Sequence, residues 1–279
     1  MIIAATVEEL RSARRRGMIG FVPTMGSLHD GHLALVRLAR EECDSVVVSI
    51  FVNPTQFGPG EDFASYPRDL ERDVGMLRKE KVDLAFVPDE GGFYPPGADT
   101  VVEPGAVATP LEGDRRPGHF RGVATVVTML FNAVRPYRAY FGEKDWQQLQ
   151  VVRRMVRDLH LPVEIVPVPI VREPDGLAMS SRNVRLSAGE RITALCVPRA
   201  LEAARAAYAA GETDSAALEH AMAAVIAAEP AATLDYAVVV DSETLRPMER
   251  GSPGARVLIA ARVGPVRLID NGALERDGG

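Results

Sequence analysis

Only two of the 279 residues are cysteine, Cys43 and Cys196, far apart and without a CxxC spacing. That excludes a cysteine-based metal framework and gives no ground for a structural disulfide. Both lie in apolar-periodic segments, where a free thiol behaves as a small buried hydrophobe. Positive charge is not in excess either. Lys and Arg number 32 against 38 Asp and Glu, a net charge of −6, so no sequence-wide basic field points to nucleic acid. The run Arg14-Arg15-Arg16 reads as a solvated helix face. No apolar run approaches the ~20 residues needed to span a bilayer. The N-terminus lacks the basic region, long apolar core and cleavage site of a signal peptide, so a reducing cytoplasm is the expected compartment. Also missing are GxGxxG after a strand, GxxxxGK[ST], GxSxG, HExxH and the EF-hand loop, which removes the usual dinucleotide, Walker, hydrolase and metalloprotease readings.

What is present is an ordinary globular composition, 47% hydrophobic and 25% charged, long enough for one large domain or two unequal ones. Over the first 170 residues short apolar runs alternate with helical patterns. Strands are expected at Ile19–Val22, Val46–Val52, Leu84–Val87, Ala139–Phe141 and Val163–Val168. Amphipathic helices are expected at Leu33–Glu42, at Asp69–Lys81 after a Tyr66-Pro67 start, and across Val123 to Val134, whose apolar residues fall at i, +3, +4, +7, +8 and +11. Strands separated by helices predict an α/β fold, a Rossmann-like doubly wound parallel sheet covered on both sides, over residues 1–170. From 171 the texture changes to a polar loop, alanine-rich helices from Ala188 to Ala228, and strands at Tyr236–Val240, Arg256–Val263 and Val266–Ile269. This predicts a second, smaller C-terminal α+β domain over 171–279.

Ligands of such sheets bind outside the carboxyl ends of the strands. The segment GFVPTMGSLHDGHLALVRLAR stands at one of these ends and carries His29 and His32. As a zinc site the pair lacks a visible third ligand. As isolated residues they would be polar groups at a helix start. A helix N-terminus, however, presents free N–H groups and partial positive charge, imidazoles add donors, and Gly26 and Gly31 let the backbone approach a bulky anion. Two further loops offer a similar donor set. Met179-Ser180-Ser181-Arg182 supplies hydroxyls and a guanidinium, and Gly142-Glu143-Lys144-Asp145 follows a strand end with a cation. Together the three loops predict a nucleotide site.

These motifs also carry a resemblance. HxGH with a later MSSR resembles the HIGH and KMSKS signatures of the nucleotidyltransferase superfamily. The ordered set FVPTMGSLHDGH, SIFVNPTQF, YPR, GHFRGV, FGEKDWQQL and VREPDGLAMSSRN more closely resembles the pantoate–β-alanine ligase family, from Gly20 to about Ser187. The second signature has Ser180, Ser181 and Arg182 in place of lysines. Trp146 stands where that family often has Tyr, a change expected to have little effect.

The resemblance implies condensation of pantoate with β-alanine through a pantoyl-adenylate, using ATP with Mg²⁺ held on its phosphates and releasing AMP and pyrophosphate. It implies His32 and His29 with Lys144, Ser180, Ser181 and Arg182 as the catalytic set. For ATP it implies Met25, Gly26, His29, Gly31, His32, Gly142, Glu143, Lys144, Asp145, Val171, Met179, Ser180, Ser181 and Arg182. For pantoate and β-alanine it implies Gln56 and Gln148, with Asn53, Tyr66 and Arg116 as further contacts, and no protein-held metal. It also implies a homodimer. Because an acyl adenylate hydrolyses easily, the site should exclude water, and the C-terminal domain is the expected lid over the ATP site. The alternatives are another HxGH nucleotidyltransferase acting on a small phosphorylated substrate, or a module that binds ATP without turning it over. His119 of GHFRGV is a helix-start residue and is kept outside the catalytic set.

Overall fold

The computed structural model describes residues 1–275. Six strands, β1 (Ile2–Ala4), β2 (Ile19–Thr24), β3 (Ser45–Ile50), β4 (Leu84–Phe86), β5 (Arg138–Gly142) and β6 (Glu164–Val168), form one parallel sheet in the order β1-β4-β3-β2-β5-β6. The chain builds outward from β2 in both directions, so the topological switch lies between β2 and β5, where ligands of doubly wound sheets bind. β3 is buried along its whole length, as a strand covered on both faces must be, which is why Val46-Val47-Val48 does not alternate with polar residues. One face of the sheet presents Val22, Val46 and Val48 to Leu35, Val36 and Ala39 of the helix Asp30–Glu42 and to Leu77 of the helix Leu70–Lys79. The other presents Phe21 and Phe141 edge-on to Phe131 of the helix His119–Val134.

The chain divides into two compact units, Met1–Glu143 with Gln147–Pro169, and Lys144–Trp146 with the residues from Ile170 on. The second unit is an antiparallel meander of β7 (Ala232–Val240), β8 (Arg256–Val263) and β9 (Val266–Ala273). Helices Cys196–Ala209 and Ser215–Ala227 supply Leu201, Tyr208, Leu218, Met222 and Ile226 to a core shared with Val257 and Ile259. The alanine-rich stretch is thus broken into separate helices, the last of them capped by Asp214, whose carboxylate accepts the Ala217 N–H at 3.0 Å.

Local chemistry moves several expected boundaries. The helix after Tyr66-Pro67 starts at Leu70 because Asp69 caps it, accepting the Arg72 N–H at 3.0 Å, so Pro67 stands before the cap and not in the first turn. β3 stops at Ile50, ahead of the turn at Asn53-Pro54. β1 had no visible period, being three residues long with two of them exposed.

Candidate active site

The loop from Met25 to Leu28 joins β2 to the helix that carries the histidines. Its backbone is bent into the left-handed region twice, at Gly26 (φ 81°) and Ser27 (φ 51°). Glycine adopts this freely, but serine does so at a cost of about 1–2 kcal/mol, and the loop holds only if something fixes it. Asp73, from the helix Leu70–Lys79, does so. One carboxylate oxygen accepts the Ser27 N–H at 2.7 Å and the other the Leu28 N–H at 2.8 Å. Asp73 is 1% exposed, and burial pushes its carboxyl above the ordinary range despite the two amide donors. A Cβ on Gly26 would stand 3.0 Å from that carboxylate, so the glycine also makes room for its own anchor.

His29 is the N-cap of the helix Asp30–Glu42 and His32 its third residue. The His29 N–H donates to Nδ1 of His32 at 3.4 Å, and the rings lie 4.1 Å apart, so the i, i+3 spacing is a capping-box geometry made with imidazoles. With Nδ1 accepting, a neutral His32 carries its proton on Nε2 and presents a donor at the amino end of the helix, beside Gly31.

Gln56 is built into the turn Pro54–Gln56 and touches the histidine loop, its Nε2 donating to Sδ of Met25 at 2.9 Å. Its Oε1 accepts from Asn53 Nδ2 at 3.1 Å, which fixes which end of the carboxamide donates. Asn53 itself is 1% exposed and fully committed. Its Nδ2 also reaches the Gly122 carbonyl at 3.2 Å, while its Oδ1 accepts from Tyr94 at 2.8 Å and from the Thr55 hydroxyl at 3.0 Å. Tyr66 is buried with its ring edge-on to Phe57. Arg116 is engaged as well: its guanidinium forks onto Glu61 at 2.7 and 2.8 Å and touches Nε2 of His119 at 3.0 Å.

Of the two adjacent glutamines after β5, Gln147 is 3% exposed and spends its carboxamide on the Glu112 N–H and on the carbonyls of Val107 and Pro110. Gln148 is half-buried, and its carboxamide makes no hydrogen bond among the described residues. A cleft of about 280 Å³ opens in the same unit at the carboxyl ends of β2, β3 and β4, lined by Met25, Gly26, Phe51, Phe63, Asp73 and Val87 among others.

The remaining expected site residues belong mostly to the second unit. Gly142 ends β5, and Glu143–Asp145 form one 3₁₀ turn. Lys144 has its carbonyl held by Asn271 Nδ2 at 2.9 Å and its Nζ 4.0 Å from Asp145. Trp146 does more there than an inert replacement would. Its indole N–H donates to the Ser242 carbonyl at 2.9 Å, and the Arg256 guanidinium stacks 3.6 Å from its ring centroid. Val171 and Met179 pair through a backbone hydrogen bond of 3.0 Å, closing the loop that leads into Ser180, Ser181 and Arg182. Ser180 Oγ accepts the Arg182 N–H at 3.3 Å, and Ser181 is buried. The loop is braced by Arg191 on Glu173 and Asp175, by Asn183 on Glu173, and by Arg172 on the buried Asp270. Among the described residues no group of three or more His, Cys, Asp or Glu gathers as metal ligands.

Asp73, which anchors the histidine loop, was not among the residues the motifs pointed to. Its signal was there, a carboxylate on the apolar stripe that runs through Leu70, Val74 and Leu77.

Comparison with known proteins bears on this assembly directly. The family model for pantoate-beta-alanine ligase matches residues 2–273. The pantothenate synthetase of Roseiflexus castenholzii is 56% identical over 277 residues, covering 99% of this chain and 100% of that protein. That of Chloroflexus aurantiacus is 57% identical over 280 residues, with both covered in full. Among solved structures, pantothenate synthetase from Thermus thermophilus superposes with a TM-score of 0.96 at 53% identity, covering 98% of this chain and 99% of that one. The pantoate-beta-alanine ligase of Francisella tularensis, solved in complex with beta-gamma ATP and beta-alanine, superposes at 0.82 with 35% identity over both chains in full. With the histidine loop, the oriented Gln56 and near-complete coverage in agreement, the chain belongs to the pantoate–β-alanine ligase family, the enzymes that form pantothenate.

Proposed function

We propose that this ligase activates pantoate with ATP as a pantoyl-adenylate before the amide is made. The observation that carries the reading is the helix-start pair, where the His29 N–H on Nδ1 of His32 puts the proton of a neutral ring on Nε2, at the positive end of a helix. The complex of the Francisella tularensis relative with a nucleotide and β-alanine supports it. In the first step a carboxylate oxygen of pantoate bonds to the α-phosphorus and the bond to the β-phosphate oxygen breaks, so pyrophosphate leaves with the electron pair. The carboxylate is already ionised at pH 7 and needs no general base. The protein's task is alignment and stabilisation of charge on phosphoryl oxygens.

His29, His32, Lys144, Ser180, Ser181 and Arg182 are assigned to that charge. Met25, Gly26, Gly31, Gly142, Glu143, Asp145, Val171 and Met179 are assigned to the rest of the nucleotide. Gln56 and Gln148 are assigned to pantoate, Gln56 with a fixed donor end and Gln148 with an uncommitted carboxamide. Asn53 supports the site by orienting Gln56. Tyr66 supports the wall formed with Phe57. Arg116 reaches a substrate carboxylate only on releasing Glu61.

His29, His32, Lys144, Ser180, Ser181 and Arg182 carry N–H and O–H donors, which suit phosphate oxygens and not a cation. Mg²⁺ therefore fits as a metal carried on the ATP phosphates, where it neutralises their charge. In the second step the β-alanine amine attacks the acyl carbon, AMP leaves and the amine proton passes to solvent. No helix among the described residues is long and apolar enough to cross a membrane. The homodimer is carried over with the family and is checked by sedimentation equilibrium.

ATP–pyrophosphate exchange tests the activation step. It is expected to require pantoate and to proceed without β-alanine, with AMP released only when β-alanine is added. Exchange without pantoate, or AMP release only with all three substrates and no exchange, overturns the adenylate route.

A further inference from the structure

The GHFRGV segment has no part in the chemistry just described, yet it is fitted closely against the turn that carries Gln56. The helix His119–Val134 meets the turn Pro54–Gln56 at Gly122, where a Cβ would stand 2.3 Å from the Thr55 carbonyl oxygen and 2.6 Å from the Gln56 nitrogen. Across this contact Asn53 Nδ2 reaches the Gly122 carbonyl, and Nδ1 of His119 lies 2.8 Å from the carbonyl oxygen of Gln56. On the ring's other side Nε2 lies 3.0 Å from Nη1 of Arg116.

The neighbours dictate the state of this ring. A carbonyl oxygen only accepts, so Nδ1 carries the proton. A guanidinium only donates, so Nε2 is the lone pair. His119 is 7% exposed, and burial with the adjacent Arg116 charge holds its pKa down at about 4. The imidazole is therefore one neutral tautomer with both nitrogens spent, unsuited to proton transfer and suited to holding its neighbours.

We propose that His119 is a positioning residue for pantoate: it fixes the main chain of Gln56 and links it, through Arg116 and Glu61, to the Gly58–Ser65 segment. Glu61 is held by the Arg116 fork, so one chain of contacts runs from that segment through Arg116 and His119 to the Gln56 backbone. The proposal rests on the assignment of Gln56 to pantoate.

The test uses two side chains that each keep half of the imidazole's role. In His119→Asn the amide Nδ2 stands where Nδ1 stood and still donates to the Gln56 carbonyl. In His119→Gln an acceptor is kept near Nε2 for Arg116, but the donor to Gln56 is lost. Steady-state kinetics on the full chain are expected to show a pantoate KM raised tenfold or more in His119→Gln and within threefold of wild type in His119→Asn. The ATP KM is expected to stay within twofold in both. Nitrogen-15 NMR of the wild type is expected to show His119 protonated at Nδ1 alone through pH 5. Equal effects of the two variants on every parameter, a pantoate KM untouched by His119→Gln, or a ring that titrates near 6.5 overturns the proposal. Gln56→Ala separates the two levels. If it leaves the pantoate KM unchanged, the assignment of Gln56 fails. If it raises that KM while His119→Gln does not, only the role of His119 fails.

Discussion

Replacing glycine by alanine inside a helix ordinarily stabilises it by roughly 0.8–1.0 kcal/mol, because the unfolded chain has less freedom to lose. Two helical glycines of the first unit should respond to that substitution with opposite signs. At Gly75, in the helix Leu70–Lys79, an added Cβ has no atom within 4 Å, and the full gain of up to about 1 kcal/mol is expected. At Gly122 the added carbon lies 2.3 Å from the Thr55 oxygen, 2.5 Å from its carbonyl carbon and 2.6 Å from the Gln56 nitrogen. Relief needs the turn and the helix to separate by about 1 Å, judged against ordinary contact distances. All three obstructing atoms are backbone, and the turn is tied to the helix by Asn53 and His119. Overpacking of this kind costs about 1–3 kcal/mol, more than the helical gain returns. Gly122→Ala is therefore expected to lose up to about 2 kcal/mol net in thermal unfolding, with the pantoate KM raised because Gln56 moves with the turn. An alanine variant that melts at or above the wild type and keeps the pantoate KM would show that the close approach of turn and helix does not govern the site.

Below its ordinary pKa of 6.5 His119 stays neutral in the folded chain down to about 4, while the unfolded chain takes up the proton. Its stabilisation is thus complete above pH 6.5 and falls with pH towards 4, so between pH 7 and 5 the wild type should lose about 2 kcal/mol more than His119→Asn in urea titrations. Asp73→Asn turns an amide group onto one of the two backbone N–H groups it now accepts, and a loss of about 2 kcal/mol in melting experiments is expected. Arg172→Ala strands the carboxylate of Asp270, which is 2% exposed, and is expected to cost about 3 kcal/mol, part of it recovered on adding Asp270→Asn. Trp146 is the chain's one tryptophan, so Arg256→Ala should shift the intrinsic emission to the red as the stacked guanidinium leaves; an unmoved spectrum contradicts the stack.

The histidine pair was legible because its geometry is local. Two residues three apart at a strand-to-helix junction share one cap, and the sequence shows both the spacing and the junction. The parallel sheet was legible for a related reason, since strands buried on both faces carry unbroken runs such as Val46-Val47-Val48. What stayed hidden depends on partners distant in sequence. Arg116 was expected as a substrate contact, and its guanidinium holds Glu61, 55 residues away in sequence. Gln147 and Gln148 are chemically identical in sequence, and only helical phase turns the first onto Glu112, Val107 and Pro110. Trp146 looked like a neutral replacement because its partners Ser242 and Arg256 lie about a hundred residues on.

A polar residue whose donors and acceptors are all satisfied inside the protein has little left for a substrate, and one left unsatisfied at half burial is poorly explained by the fold alone. Holders and contacts in this protein differ on that ground. Asn53, Asp73, Gln147 and His119 are buried and committed, and each holds a turn or loop from which another residue projects. Gln148 is exposed in part and uncommitted. Gln56 combines both roles, its carbonyl and Oε1 occupied by His119 and Asn53 while Nε2 rests on a methionine sulfur, the weakest acceptor in the network. A substrate oxygen competes easily with that sulfur and poorly with the amide donor of Asn53. The donor end of Gln56 is thus the part of the network that is cheapest to redirect, and it is the end that a carboxylate or hydroxyl requires.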